Sequence, residues 1–159
     1  MAIRPFKETD LSAILTIYAN SKLDELRFEN NTFELVPLQQ DAKRFAGLKE
    51  SDIYVYEEGE VIAYGAVCGA EITALFVSPD ARGKGVGKKL LEYLLSKQHA
   101  PISLYVAKTN LPAKSLYQDY GFKVVDEFKT DYNQTPVVAN KMTRVDVSEL
   151  DMKEGEIVR

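Results

Sequence analysis

The stretch that decides the fold is Val77-Ser78-Pro79-Asp80-Ala81-Arg82-Gly83-Lys84-Gly85-Val86-Gly87. It ends a β-rich run, Glu71–Ser78 (EITALFVS), and opens a segment reaching Gln98. In that segment Val86, Leu90, Leu94 and Leu91, Leu95 recur at i, i+4, the spacing of an amphipathic helix. A strand therefore passes through a glycine-studded turn, Arg82–Gly87, into a helix. Glycines there let backbone N–H groups approach a ligand closely. The same N–H groups sit at a helix N-terminus, where the dipole favours an anion. Arg82, Lys84, Lys88 and Lys89 add positive charge. The expected occupant is a phosphate or pyrophosphate. An unliganded helix entrance is the plainer alternative, but three alternating glycines cost helix stability and then have no reason to be there.

Spacing excludes the common nucleotide cradles. A dinucleotide fingerprint needs a third glycine where Lys88 stands, and an acid about 20 residues further on, where residues 103–107 (SLYVA) supply none. A Walker loop needs Ser or Thr after its lysine, and Lys88 is followed by Lys89.

Working outward, Ala2–Arg4 reads as a short first strand. Thr9 or Asp10 is placed to cap a helix whose Leu11, Ile14, Leu15 and Tyr18 share a face. Residues 21–37 are mixed, with turn chemistry at Asn30-Asn31, and Gln39–Lys49 reads as a short helix. Asp52–Glu57 and Glu60–Cys68 form a hairpin about Glu58-Gly59. Ile102–Ala107 is a strand, and Ala113–Tyr120 a helix stopped by Gly121. Phe122–Thr130 and Val137–Thr143 are late strands. Early hairpins with a central strand–helix–strand–helix run predict a mixed α/β three-layer domain, not a uniform βαβ array. The domain is expected over residues 1–143, with 144–159 as a polar tail or weak extra helix.

Composition narrows the function. The chain has 159 residues, enough for one core of ordinary size. One cysteine (Cys68) and one histidine (His99) exclude a disulfide framework and a Cys- or His-built metal centre. Cys68 reads as a small buried hydrophobe in its strand, and His99 as the end of the glycine-turn helix. Twenty Lys+Arg against 24 Asp+Glu, a net charge of −4, give non-specific nucleic-acid binding no support. No segment has the ~20 apolar residues of a membrane span. MAIRPFKETD lacks the apolar core of a signal peptide, so the cytoplasm is the expected location.

Residues 77–87 resemble motif A of the GNAT superfamily of acyl-CoA-dependent N-acyltransferases. That motif is a strand, a Pro-containing turn, then Arg/Gln-x-x-Gly-x-Gly/Ala opening a helix; Arg82, Gly85 and Gly87 fill its fixed positions. Downstream, Asn110, Ala113, Tyr117 and Gly121-Phe122 are similar to the family's motif B. The motifs span residues 71–122, and the element order covers roughly 2–143.

The resemblance implies a mostly antiparallel central sheet splayed between the strands at 71–78 and 102–107. It implies acetyl-CoA as cosubstrate and no metal. The turn Arg82, Gly83, Lys84, Gly85, Val86, Gly87 with Lys88 would hold the pyrophosphate. The backbone of Leu75, Phe76 and Val77, on a bulged strand, would face the pantetheine arm. An N–H near Val77 would polarise the acetyl carbonyl. Asn110 would bond the pantetheine or phosphate region, or cap its helix, or both. Tyr117 would protonate the departing thiolate, or else is one more packed aromatic. Glu71 matches the catalytic-glutamate strand of the histone-acetyltransferase branch. Many small members use waters instead, and the alternative glutamate position falls near Tyr105, so the base stays open. The amine would attack directly in a ternary complex.

The resemblance fades outside 71–122. Asp24, Glu25, Glu29 and Glu34 would line the acceptor cleft and favour a cationic amine, or else form a solvated acidic face. Tyr132-Asn133 and the strand from Val137 would cover its other side. The resemblance also implies a homodimer, since family members are often dimers; whether Val137–Thr143, read as an edge strand, pairs with a second subunit stays open. A non-catalytic CoA-binding module, a plain interaction domain and a nucleotide-binding enzyme are the competing classes. Tyr117, the intact turn, and Lys88 with Lys89 argue against each in turn.

Overall fold

The computed structural model describes residues 2–98 and 101–144. Its strands are β1 (Ile3–Pro5), β2 (Asp52–Glu58), β3 (Glu60–Cys68), β4 (Glu71–Val77), β5 (Ile102–Ala107), β6 (Lys123–Tyr132) and β7 (Thr135–Arg144). Its α-helices are α1 (Leu11–Ser21), α2 (Ala42–Glu50), α3 (Val86–Ser96) and α4 (Leu111–Asp119). The strands form one sheet in the order β1-β2-β3-β4-β5-β7-β6. Every neighbouring pair is antiparallel except β4 and β5.

Two cores clamp this sheet. On one face Leu91, Leu94 and Leu95 of α3 pack with Leu116 and Tyr117 of α4 against Ile72, Leu104 and Met142. On the other, Ile14, Ile17 and Tyr18 of α1 and Leu48 of α2 pack against Val55, Tyr64 and Phe76. This is the expected three-layer arrangement. The i, i+4 stripe of α3 is what it buries, and each leucine there is worth about 1.5–3 kcal/mol of burial. Gly65 permits the approach of α3, since a Cβ there would lie 2.8 Å from Leu94 Cδ1.

Several local expectations are corrected. Asp10 does not cap α1. Its carboxylate takes the Arg4 guanidinium at 2.8 and 2.9 Å and the Lys7 N–H at 2.7 Å, which ties β1 to the helix start and holds the carboxyl below its usual pKa. Cys68 is exposed, because β3 ends there beside the Gly69 turn. The strand at 137–143 is not an edge: β7 is paired on both sides, with β5 and β6. The late strands extend further than read, closing on Asn133-Gln134, both at positive φ, as a tight hairpin turn requires. His99 and residues 145–159, where the tail was expected, lie outside the described residues.

Candidate active site

The site begins with an irregularity in β4. Ala66 faces Ala74 across the ladder, but Val67 faces Ile72, so Thr73 is an extra residue. Such a bulge breaks strict alternation. Thr73 and Ala74 both reach the α1/α2 side, and from there Phe76 points into the α1/α2 core while Leu75 packs toward α3. Beyond the bulge β4 leaves its parallel neighbour. β4 and β5 share one bridge, Glu71 with Ser103, where Ser103 N–H donates to the Ala70 carbonyl at 2.8 Å. Toward Val77 and Ala107 the two strands part, as the resemblance implied.

The backbone groups facing this gap follow from ladder parity. The Ser78 N–H donates to the Ile62 carbonyl at 2.8 Å, which makes Ala63 and Val77 a non-hydrogen-bonded pair. The alternation then gives Tyr64 and Phe76 to each other and turns the N–H groups of Leu75 and Val77 away from β3. Of the three backbones expected at the gap, Phe76 is the exception, because its own is spent on β3. The Val77 carbonyl is taken from the side by Ser21 Oγ at 3.2 Å and Arg82 at 3.3 Å.

The glycine turn follows a short 3₁₀ turn, Pro79–Ala81. Gly83 (φ +80°) and Gly85 (φ +78°) are left-handed, a conformation other residues adopt only with strain. Gly85 is the residue before α3, and the first helical bond runs from Lys89 N–H to its carbonyl at 3.1 Å. The N–H groups of Val86, Gly87 and Lys88 thus lack helical acceptors, at an exposed turn carrying Lys84 and Lys88. This arrangement suits an anion. Arg82, expected to be free for phosphate, is paired with Asp24.

Asn110 precedes α4, is buried, and makes no cap bond, so the capping role is corrected and its amide is not spent there. Tyr117 is half-buried on α4, edge-on to Phe122 at 5.8 Å. Burial pushes its phenol well up, and the charge of Glu25 adds to this. Tyr117 belongs to the α3/α4 core, whereas Glu71 lies on the opposite face, so the parted strands are what connects them.

On the α1/α2 face a cleft of about 770 Å³ runs along the gap, bounded by Tyr18, Glu25, Arg44, Glu71, Tyr105 and Tyr132. Burial raises the Glu71 carboxyl, with Lys141 opposing. Tyr132, Asn133 and Val137 stand on the far side, as expected. The acidic lining is not as read. Asp24 pairs with Arg82, Glu29 accepts from the Thr109 hydroxyl, and Glu34 is exposed, leaving Glu25 at the cleft. Lys22, Lys43 and Arg44 balance Glu25, Glu71 and Asp131. The sequence reading passed over Arg44, Phe128 and the role of Tyr18 here. Tyr18 carried only the signal of a core helix position, and no spacing linked Arg44 to the site.

Comparison with known proteins agrees with this geometry. Residues 49–124 match the family model described as an acetyltransferase (GNAT) domain. Peptidyl-lysine N-acetyltransferase YiaC of Escherichia coli is 31% identical over 138 residues, covering 84% of this chain and 91% of that protein. A GCN5-related N-acetyltransferase from Rhodopseudomonas palustris superposes with a TM-score of 0.73 at 17% identity, covering 91% of this chain and 94% of the other. A phosphinothricin acetyltransferase from Sinorhizobium meliloti, solved in complex with AcCoA, gives 0.67 at 23%, covering 91% and 87%. A bulged and parted β4, a glycine-led α3 and a likeness to YiaC over most of both chains converge: the chain belongs to the GNAT superfamily and is an acetyl-CoA-dependent N-acetyltransferase.

Proposed function

We propose that this enzyme acetylates the side-chain amine of lysine in a peptide or protein, by direct attack within a ternary complex. The observation that carries this reading is the parted β4–β5 pair, with an anion-binding turn at one end and an open cleft on the α1/α2 face. The peptidyl-lysine activity in the name of the YiaC relative supports the choice of amine.

The described residues fit acetyl-CoA. The N–H groups of the turn Arg82–Gly87 and of Lys88, with the Lys84 and Lys88 side chains, hold the pyrophosphate. Arg82 exchanges Asp24 for a phosphate oxygen. Leu75 and Val77 offer N–H groups to the pantetheine arm and the acetyl oxygen, and the Asn110 amide bonds the arm. The bound cosubstrate supplies an activated thioester. The N–H group aimed at its acetyl oxygen stabilises charge that develops there. Glu71, its carboxyl raised by burial, takes a proton from the ammonium form of the acceptor, since only the free amine has the lone pair that attacks. Tyr117, kept neutral by burial, gives its proton to the thiolate as it leaves and regains one from the attacking nitrogen, which sheds its second proton as the tetrahedral intermediate collapses to the amide. The domain is taken as residues 1–143, acting in the cytoplasm. Any pairing of this sheet with a second subunit's would run through β1 or β6, its edge strands, and not through the interior β7.

The test is acetylation of a lysine peptide with a blocked N-terminus, the same peptide with a free N-terminus and lysine replaced, and spermidine. Thiol release and mass spectrometry report the product. Modification of the first peptide by one acetyl group on its lysine supports the proposal. Exclusive use of either other amine removes it.

A further inference from the structure

One hydroxyl in the cleft, that of Tyr18, is used by neither the fold nor the reaction just described. Tyr18 on α1 is 3% exposed and lines the cleft. Its ring packs edge-on against Phe76, with centroids 5.4 Å apart. Its hydroxyl is buried and has no hydrogen-bond partner among the described residues. A phenol needs no hydroxyl to pack against Phe76, and a buried unpartnered one costs stability that phenylalanine would not. A partner that arrives from outside would remove that cost.

The surroundings say what that partner is. Arg44 is held by Asp41 at 2.9 Å, and Lys22 by Glu25 at 2.9 Å. These cations lie over the Tyr132 ring, at 5.0 and 5.3 Å from its centre. Each charge near Tyr18 is thus neutralised by its own neighbour, so a charged ligand group gains no net opposite charge. Burial also drives the phenol well above its ordinary pKa, so it stays a neutral donor. A neutral donor in a charge-balanced corner suits a neutral oxygen acceptor. Phe76 sits between Leu75 and Val77, the residues whose N–H groups face the gap, so the Tyr18 ring packed on Phe76 stands on the cleft side of that gap.

We propose that the Tyr18 hydroxyl donates a hydrogen bond to a main-chain carbonyl oxygen of the acceptor, selecting lysine held in a polypeptide over simple amines. This rests on the peptidyl-lysine reading above, and Tyr18 is a specificity-determining residue, not an acid or base.

The experiment compares wild type with Tyr18→Phe on two amines, Nα-acetyl-lysine N-methylamide, which carries main-chain carbonyls, and n-butylamine, which carries none. The ratio of kcat/KM for the lysine amide to that for butylamine is expected to fall about three- to tenfold, mostly through KM, the scale of one neutral hydrogen bond. The Tm of the variant is expected to be no lower than that of wild type. An unchanged ratio overturns the proposal. So does a lowered Tm, because the hydroxyl then has a partner within the protein. The wild-type arm separates the two readings. If wild type acetylates butylamine but not the lysine amide, the peptidyl-lysine reading falls and takes this proposal with it. If wild type uses the lysine amide and Tyr18→Phe leaves the ratio alone, only the role of Tyr18 falls.

Discussion

Gly85 and Gly87 stand two positions apart in the same turn, and the structure gives them opposite reasons for being glycine. Gly85 has φ +78° with open space where a Cβ would point, so alanine there is strained by its backbone and not by a clash. The left-handed conformation costs a residue with a Cβ about 1–2 kcal/mol. Loss of unfolded-state freedom returns about 0.4–1 kcal/mol, leaving Gly85→Ala roughly 1 kcal/mol less stable. Gly87 lies within α3, with ordinary helical φ, and its Cβ would rest 3.6 Å from Val77 Cγ2, a normal contact. Gly87→Ala therefore gains about 0.5–1 kcal/mol of helix stability. For a chain of this size these differences correspond to a Tm about 2–4 °C lower for Gly85→Ala and about 1–4 °C higher for Gly87→Ala. Acetyl-CoA at about 100 times its Kd adds about 2.7 kcal/mol, or about 5–11 °C, to wild type. Gly85→Ala bends the N–H groups away from the anion, so it should lose much of that increment. Gly87→Ala leaves the backbone path intact and should keep it. Thermal shift with and without acetyl-CoA reads all of these values. A full acetyl-CoA increment in Gly85→Ala, or destabilisation by Gly87→Ala, would refute the reasoning.

Other substitutions probe the remaining roles. Tyr117→Phe should lower kcat about 10²-fold with acetyl-CoA affinity nearly kept, as expected for loss of a general acid; unchanged turnover in a steady-state assay removes Tyr117 from that role. The Glu71 carboxyl is raised, so its neutral form is favoured in the fold: any stability it lends is present below its unfolded pKa and lost as pH rises through the folded one. Activity has the opposite sense, because the base works only when ionised, so kcat/KM should climb as pH passes that raised pKa. Glu71→Gln should abolish this limb, and an unaltered profile would exclude Glu71 as the base. Asp24→Asn should tighten CoA binding several-fold by calorimetry, because Arg82 no longer exchanges partners. It should change stability by less than ~1 kcal/mol, since both side chains of the pair are 42% exposed. Weaker CoA binding would mean that Asp24 positions Arg82 for the phosphate.

The sequence by itself determined whatever local chemistry dictates. Alternating and i, i+4 apolar residues marked most strands and helices, because one-sided burial imposes a period on the chain. The glycine turn was legible because left-handed φ demands glycine at Gly83 and Gly85. Motif B brought Asn110 and Tyr117 into view with it. Only the tertiary structure decided what depends on partners distant in the chain. Phe76 lost its backbone to β3 because a bulge at Thr73 and the ladder parity fix which N–H groups face the gap. Asp24 went to Arg82 and Glu29 to Thr109, so an acidic stretch did not become an acidic cleft. Strand 137–143 became interior because β6 folds back outside it. Tyr18 looked like any core residue of an amphipathic helix. Its unpartnered hydroxyl at the acceptor cleft exists only once α1, α2, β4 and the β6–β7 turn come together, because whether a polar atom is satisfied is a property of its neighbours in space.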